Sequence, residues 1–187
     1  MRINPVVILA VFLLSSTTVG CLSNSEDNSG IELMVNYEFT NGTIVETYVD
    51  GDSQSKSNAI LDFDFSTTNS EHELVSFGID PNDGRSPILV APETSQTVSV
   101  EFSEHGIYHL DAFAVDEMES IENLTIIVRI EFNIEWKEDT TNEPTSLEID
   151  SIPKNGGPYP SMIIIDSDVE NPELIENVGG GREVEIT

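Results

Sequence analysis

Apolar and polar residues alternate along residues 103–136 more regularly than anywhere else in the chain. In the second half of this stretch Leu124, Ile126, Val128, Ile130, Phe132, Ile134 and Trp136 fall on one face. Thr125, Arg129, Glu131, Asn133 and Glu135 fall on the other, together with Ile127. In the first half Tyr108, Leu110, Ala112 and Ala114 share a face. A period of two is that of a strand with one buried side. Two such strands joined by a short acidic break predict a hairpin, and a hairpin this apolar needs more sheet to cover it. At roughly 3.4 Å per residue, residues 124–136 reach past about 40 Å. That is longer than one sandwich needs, so the second strand is expected to run from one module into the next.

The same alternation recurs upstream in shorter pieces. Leu33, Val35, Tyr37 and Phe39 form one set and a β-branched run over residues 43–49 another, with Asn41-Gly42 between them. Asn-Gly tolerates positive φ and predicts a tight hairpin there. Residues 50–58 are polar throughout and read as a loop. Leu61, Phe63 and Phe65 then alternate with Asp62 and Asp64, and Val75, Phe77 and Ile79 repeat the spacing. Asp80-Pro81-Asn82-Asp83-Gly84 is a turn by composition. Pro87 and Pro92 bound a short edge strand, and Val98, Val100 and Phe102 alternate once more. Among residues 31–187 no stretch holds an i, i+3, i+4 apolar face for three turns, so the pattern predicts an all-β sandwich over residues 31–131. Phe63, Phe77, Phe102, Tyr108 and Leu110 are its expected core. Residues 132–187 are expected to add a smaller β-module or a strand extension. Its strands would include residues 161–166 (S-M-I-I-I-D) and a last one carrying Val184 and Ile186.

The first thirty residues follow a different logic. Arg2 precedes an apolar run over residues 5–14, then polar residues, then Val19-Gly20-Cys21. The run is too short to span a bilayer as a mature helix and fits the core of a signal peptide over residues 1–20. A small residue followed by cysteine at this distance resembles a lipoprotein lipobox. That resemblance implies a lipid on Cys21, which would become the first mature residue. Residues 21–30, rich in Ser, Asn and acid, then read as a flexible tether. Localisation is accordingly expected to be exported, on the outer face of the cytoplasmic membrane, lipid-anchored at the cell surface.

Composition narrows the partners. The chain has 187 residues and a formal charge of −28, from 35 acidic and 7 basic side chains. Nucleic acid and anionic lipid surfaces call for basic patches, so neither fits this balance. A scattered acidic surface suits salty water, where repulsion is screened within roughly 3–10 Å. Cys21 is the single cysteine, which rules out an intramolecular disulfide and any multi-thiolate zinc centre.

Candidate chemistry is sparse. His72, His105 and His109 lack the H-x-H or H-E-x-x-H spacing of a metal site, and His109 is expected on a solvent face. Asp166, Asp168 and Glu170 occupy the first, third and fifth positions of a calcium loop. Its sixth position is Asn171 and its twelfth Asn177, so the loop is incomplete. No G-x-S-x-G occurs, and Gly179-Gly180-Gly181 lacks the Lys of a phosphate loop. No catalytic residue, metal ligand or cofactor is assigned. Asn41 and Asn123 each begin an N-x-T sequon and are candidate glycosylation sites. Asn41 is expected at an accessible hairpin tip.

Phe102, Gly106, Tyr108, Leu110, Ala112, Ala114 and Asp116 fall where a PKD-type immunoglobulin-like domain has its aromatic, its Gly-x-Tyr and its alternating strand ending in Asp. Residues 98–116 therefore resemble the C-terminal half of that family, and residues 60–66 its early strand. The family's Trp-Asp-Phe-Gly-Asp-Gly signature is absent here. The resemblance implies an immunoglobulin-like (PKD-like) antiparallel β-sandwich, and a spacer or adhesion module at a cell surface instead of an enzyme. Its partners would be the membrane, through Cys21, and a surface protein or glycan. Acidity together with the sequons tilts a prokaryotic envelope toward an archaeal one. The rival expectation is an exported carbohydrate- or cation-binding subunit, calcium-dependent in the latter case, using Tyr48, Tyr159 or the acidic loops.

Overall fold

The structure, a computed structural model, describes residues 30–138 and 145–168. Its strands in chain order are β1 (Ile31–Glu32), β2 (Asn41–Val49), β3 (Asp52–Ser57), β4 (Ala59–Asp64), β5 (Asn69–Ser70), β6 (Leu74–Asp80), β7 (Ile88–Val90), β8 (Thr97–Phe102), β9 (Gly106–Asp116) and β10 (Ile121–Lys137). One sheet has six strands in the order β3-β2-β10-β9-β6-β7. Facing it are β4 paired with β8 and β1 paired with β5, tied together by a bridge between Asn36 and Asp64. The two layers make an all-β sandwich.

Alternation explains the core. In β9, Tyr108, Leu110, Ala112 and Ala114 are all buried, and β8 and β4 oppose them with Val98, Val100, Phe102, Leu61 and Phe63. All five expected core residues are buried. Phe65 stacks on Phe77 with centroids 4.9 Å apart, and Phe102 meets Tyr108 edge-on at 4.8 Å. Each such side chain contributes about 1.5–3 kcal/mol when taken out of water, so this aromatic layer dominates the cohesion of the two sheets.

The residues that resemble a PKD domain do structural work. The Tyr108 hydroxyl donates to the Glu104 carbonyl at 2.7 Å, pinning the start of β9 to the turn before it. Asp116, buried at the other end of β9, accepts from the Met118 and Ser120 amides, each at 2.9 Å. That carboxylate closes the β9–β10 turn, where Glu119 has a φ of 64°.

Several expectations need correcting. Asn41-Gly42 is not a turn but the beginning of β2, which runs parallel to β10 with Asn41 beside Arg129 and Val49 beside Lys137. The sheet is therefore mixed, not purely antiparallel. The tight turn comes at the other end of β2, at Asp50 (φ 50°) and Gly51 (φ 84°), positions that demand left-handed backbone. Residues 52–57 are not a loop. They form β3, a strand of six exposed polar residues on the sheet's edge, where neither face needs apolar side chains. Val75 is turned outward by a register irregularity between Leu74 and Ser76, which puts Leu74 against the core in its place.

The boundary expected at residues 131/132 falls inside β10. This strand pairs with β9 as far as Ile130 and with β2 from Arg129 to Lys137. Its extra length is paired with β2. Leu124 and Trp136, assigned to the core face, are 43% and 37% exposed, because each lies near one end of a strand longer than the layer beneath it. Residues 145–168 contain no strand, and Met162, Ile163, Ile164 and Ile165 are 63–76% exposed. A run of strand-forming residues makes a strand only with an edge to join, and none of the described residues pairs with this one. The final expected strand, like the signal peptide, Cys21 and residues 22–29, lies outside the described residues.

Candidate functional site

Strand directions give the sandwich two ends. At one, the Glu71 amide donates to the Gly30 carbonyl at 3.0 Å and the Glu117 amide to the Glu73 carbonyl at 2.8 Å. The described chain therefore starts beside the β9–β10 turn. β10 runs away from that turn, and beyond Ile130 it leaves β9 behind. Its last seven residues, at roughly 3.3 Å each, carry the β2–β3–β10 ribbon about 23 Å further. The far end of the described residues is thus a three-stranded ribbon closed by the Asp50–Gly51 turn.

In a parallel pair, residues side by side face the same way. Gly42, Ile44, Glu46 and Tyr48 therefore share the inner face with Ile130, Phe132, Ile134 and Trp136. Lys56 joins them from β3, where it is the register partner of Glu46. Residues 145–157 return along this face as a strap. Its second half is tied to the sandwich at three points. Lys154 reaches Glu104 at 3.5 Å, and the Asn155 amide donates to the Ile107 carbonyl at 2.9 Å. Within the strap, the Gly157 amide donates to Asn155 Oδ1 at 3.0 Å and orients that side chain. The His105 ring lies 3.2 Å from the Ser151 carbonyl, which only accepts, so Nε2 carries the proton. His105 also stacks on Phe132 at 5.6 Å and 9°. Gly106 completes the anchorage. Its φ is 149°, and a Cβ there would stand 2.7 Å from Asn155 Oδ1.

Between ribbon and strap lies a cleft of about 170 Å³. Ile44, Phe132 and Ile134 are apolar walls, with Leu147 and Ile152 opposite. Its charged and ionisable groups include Glu46, Lys56, Glu104, His105, Glu148, Asp150 and Lys154. Glu46 accepts from Lys56 at 2.9 Å and from the Tyr48 hydroxyl at 2.9 Å. The Lys56 hydrogen bond outweighs burial and, with Tyr48, holds the Glu46 carboxyl below its ordinary range. The same bond to Glu46 pushes the Tyr48 phenol up. Both stay in the forms that bond each other across the neutral range.

The residues singled out for metal chemistry are used otherwise. His72 is exposed in the β5–β6 loop, and His109 sits on the outer face of β9 as expected. In the 80–84 turn, Asp80 accepts from the Asn82 amide at 2.9 Å. Asp83 grips Arg85, with Nη2 at 2.7 Å from Oδ2. Burial pushes the Asp83 carboxyl up, but the hydrogen bonds and charge of Arg85 more than offset it and leave it lowered. Asp111 accepts from Asn82 at 2.9 Å and from Thr125 at 3.0 Å. Among the described residues no three His, Cys, Asp or Glu groups converge to hold a metal ion. Of the incomplete calcium loop, Glu170 and everything after it lie outside the described residues.

Asn41 and Asn123 lie on the sandwich, both exposed, the first at the start of β2 and the second in the third position of β10. Tyr48 belongs to the cleft, whereas Tyr159 is exposed in the segment beyond the strap. Trp136, read from the sequence as a core residue, is the register partner of Tyr48. The signal for that pairing was thin. It lay only in the matching alternation of residues 42–48 and 130–136, with no cue that the two strands run parallel.

No protein-family model matches the chain, and no curated protein does. Solved structures are similar. One comes from work on the promiscuous specificity of carbohydrate-binding modules from the β-sandwich superfamily. It aligns with 55% of this chain at 12% identity and a TM-score of 0.42. This chain spans only 35% of that one's length. Another is the PKD1 domain of Vibrio anguillarum Epp, with 55% of this chain and 95% of its own covered, 13% identity and a TM-score of 0.36. The protein is an all-β sandwich. That statement rests on the strand pairing above.

Proposed function

We propose that the chain is a lipid-anchored, non-catalytic cell-surface protein whose sandwich serves as a spacer or adhesion module. Cys21 after the apolar run is the proposed anchor, on the outer face of the cytoplasmic membrane. The observation that carries the reading is polarity. The chain enters the sandwich at Gly30, beside the β9–β10 turn, while the ribbon projects from the opposite end. A tether over residues 21–30 would then hold one end at the membrane and present the other outward. The acids that could have suggested catalysis cap turns or pair with Arg85, which fits a scaffold. Asn41 and Asn123 are both open enough to carry glycans.

Mass spectrometry of the membrane fraction tests the anchor. The expected result is a diacylglyceryl or archaeol adduct on an N-terminal Cys21, with Cys21→Ala released into the medium. An unmodified Cys21 in the exported protein would overturn the proposal. The glycopeptides containing Asn41 and Asn123 can be read in the same experiment.

One observation favours a second reading, an exported carbohydrate-binding subunit. Tyr48 and Trp136 lie side by side on one face at the outward end, and neither is fully buried.

A further inference from the structure

We propose that the cleft between ribbon and strap, with Tyr48 and Trp136 beside it, is a binding site for one neutral sugar ring. The proposal rests on the carbohydrate-binding reading and assigns to it a place and a class of ligand.

Shape comes first. Tyr48 and Trp136 are neighbours on adjacent strands, which lie about 4.8 Å apart. Trp136 is the chain's one tryptophan, and it is 37% exposed. By contrast Phe63, Phe65, Phe77, Phe102 and Tyr108 are buried in the sandwich. Two aromatic side chains left at the surface on one sheet face offer a flat apolar platform with a polar tip. The Tyr48 hydroxyl is fixed by Glu46, so its ring is oriented before any ligand arrives.

Charge comes second. The cleft holds Lys56 and Lys154, two of only seven basic side chains, each facing a carboxylate: Lys56 with Glu46 and Lys154 with Glu104. His105, Glu148 and Asp150 complete the ionisable set. An anion would meet four carboxylates and a protein of charge −28. A bare cation would meet two ammonium groups, and among the described residues no three His, Cys, Asp or Glu groups converge to hold a metal ion. Sugar hydroxyls both donate and accept, so they can bond to carboxylate and ammonium in the same rim without bringing charge of their own. The apolar walls at Ile44, Phe132 and Ile134 suit the C–H face of a ring.

Size comes third. About 170 Å³ is below the roughly 300–1,000 Å³ of pockets for drug-sized ligands, and equals about six waters at ~30 Å³ each. One sugar ring fits, with the rest of a glycan extending over Trp136.

Calorimetric titration of the detergent-solubilised full-length protein tests this, with chito-, gluco-, manno- and galacto-oligosaccharides as neutral probes and oligoglucuronate as the acidic one. At least one neutral probe is expected to bind at least tenfold tighter than oligoglucuronate. Trp136→Ala and Tyr48→Ala are each expected to weaken it at least tenfold with the melting midpoint unchanged, and Trp136→Phe to restore most of the affinity. A neutral probe that binds both alanine variants as tightly as the wild type would overturn the site while leaving the carbohydrate-binding reading standing. Equal affinity for oligoglucuronate would overturn the ligand class. No binding of any probe would overturn both.

Discussion

β9 and the far half of β10 carry the same alternating pattern, yet only one of them is buried along it. In β9 Tyr108, Leu110, Ala112 and Ala114 are at most 4% exposed, because β4 and β8 lie across them. In β10 past Ile130, Phe132 and Ile134 are half-buried and Trp136 is exposed, because there the cover is a strap without strands. A period of two tells which way each side chain points. The layer standing over that face decides whether the side chain is core or contact surface.

The comparison breaks most sharply at Leu110. Leu110→Asp places an unpaired carboxylate at a fully buried position, which costs more than a domain of this size can spare. Its thermal melt, followed by circular dichroism, is expected to lose the cooperative transition. Leu110→Ala should retain it with a loss of about 2–5 kcal/mol. Trp136→Ala, at the same pattern position in the ribbon, should cost less than about 1 kcal/mol. Comparable losses at Leu110→Ala and Trp136→Ala would remove the distinction between the two regions.

A middle-sized effect is expected where the regions join. Gly106→Ala forces an L-residue to a φ of 149° and drives its Cβ into Asn155. The backbone strain alone is about 1–3 kcal/mol. Asn155→Ala frees the strap without that strain and should cost about 1 kcal/mol. Urea denaturation of Asn155→Ala is expected to show that small loss in its midpoint, while limited proteolysis between residues 145 and 157 becomes faster.

The smallest effect is in pH. Burial first, then the nearby Asp83 carboxylate, pushes the Tyr108 phenol up to about 12, whereas in the unfolded chain it ionises near 10. The folded state favours the protonated form, so this stabilisation is complete below pH 10 and is lost as pH rises through 10 to 12. Tyr108→Phe should lose the hydrogen bond to Glu104, about 1 kcal/mol, and show a shallower fall in melting temperature over that interval. An identical alkaline slope in the variant would show that Tyr108 is not the titrating group.

Legibility in the sequence followed the same division. β4, β8 and β9 were readable residue by residue, since each has one dry face and one wet face. β3, D-S-Q-S-K-S, was not, because an edge strand outside the core needs no apolar residue. Asn41-Gly42 misled because turn chemistry is permissive: the same dipeptide sits in an extended strand when another strand, here β10, takes its hydrogen bonds. Val75 misled because a one-residue irregularity inverts the faces. The cleft was nearly invisible. Tyr48 drew notice, but the cleft draws on β2, β3, residues 103–105, β10 and the strap, and no local pattern reports a meeting of segments so far apart in sequence.

Amide hydrogen exchange along β10 tests the central claim most directly, since one continuous strand passes through both regions. Hydrogen-bonded amides of residues 126–130, where β10 pairs with β9 under the opposite layer, are expected to exchange only through global unfolding. Hydrogen-bonded amides of residues 131–137, held on one side by β2, are expected to exchange at least about a hundredfold faster through local opening. Equal protection of the hydrogen-bonded amides from residue 126 to residue 137 would contradict the account, because it would make the ribbon part of the sandwich instead of a separate surface projecting from it.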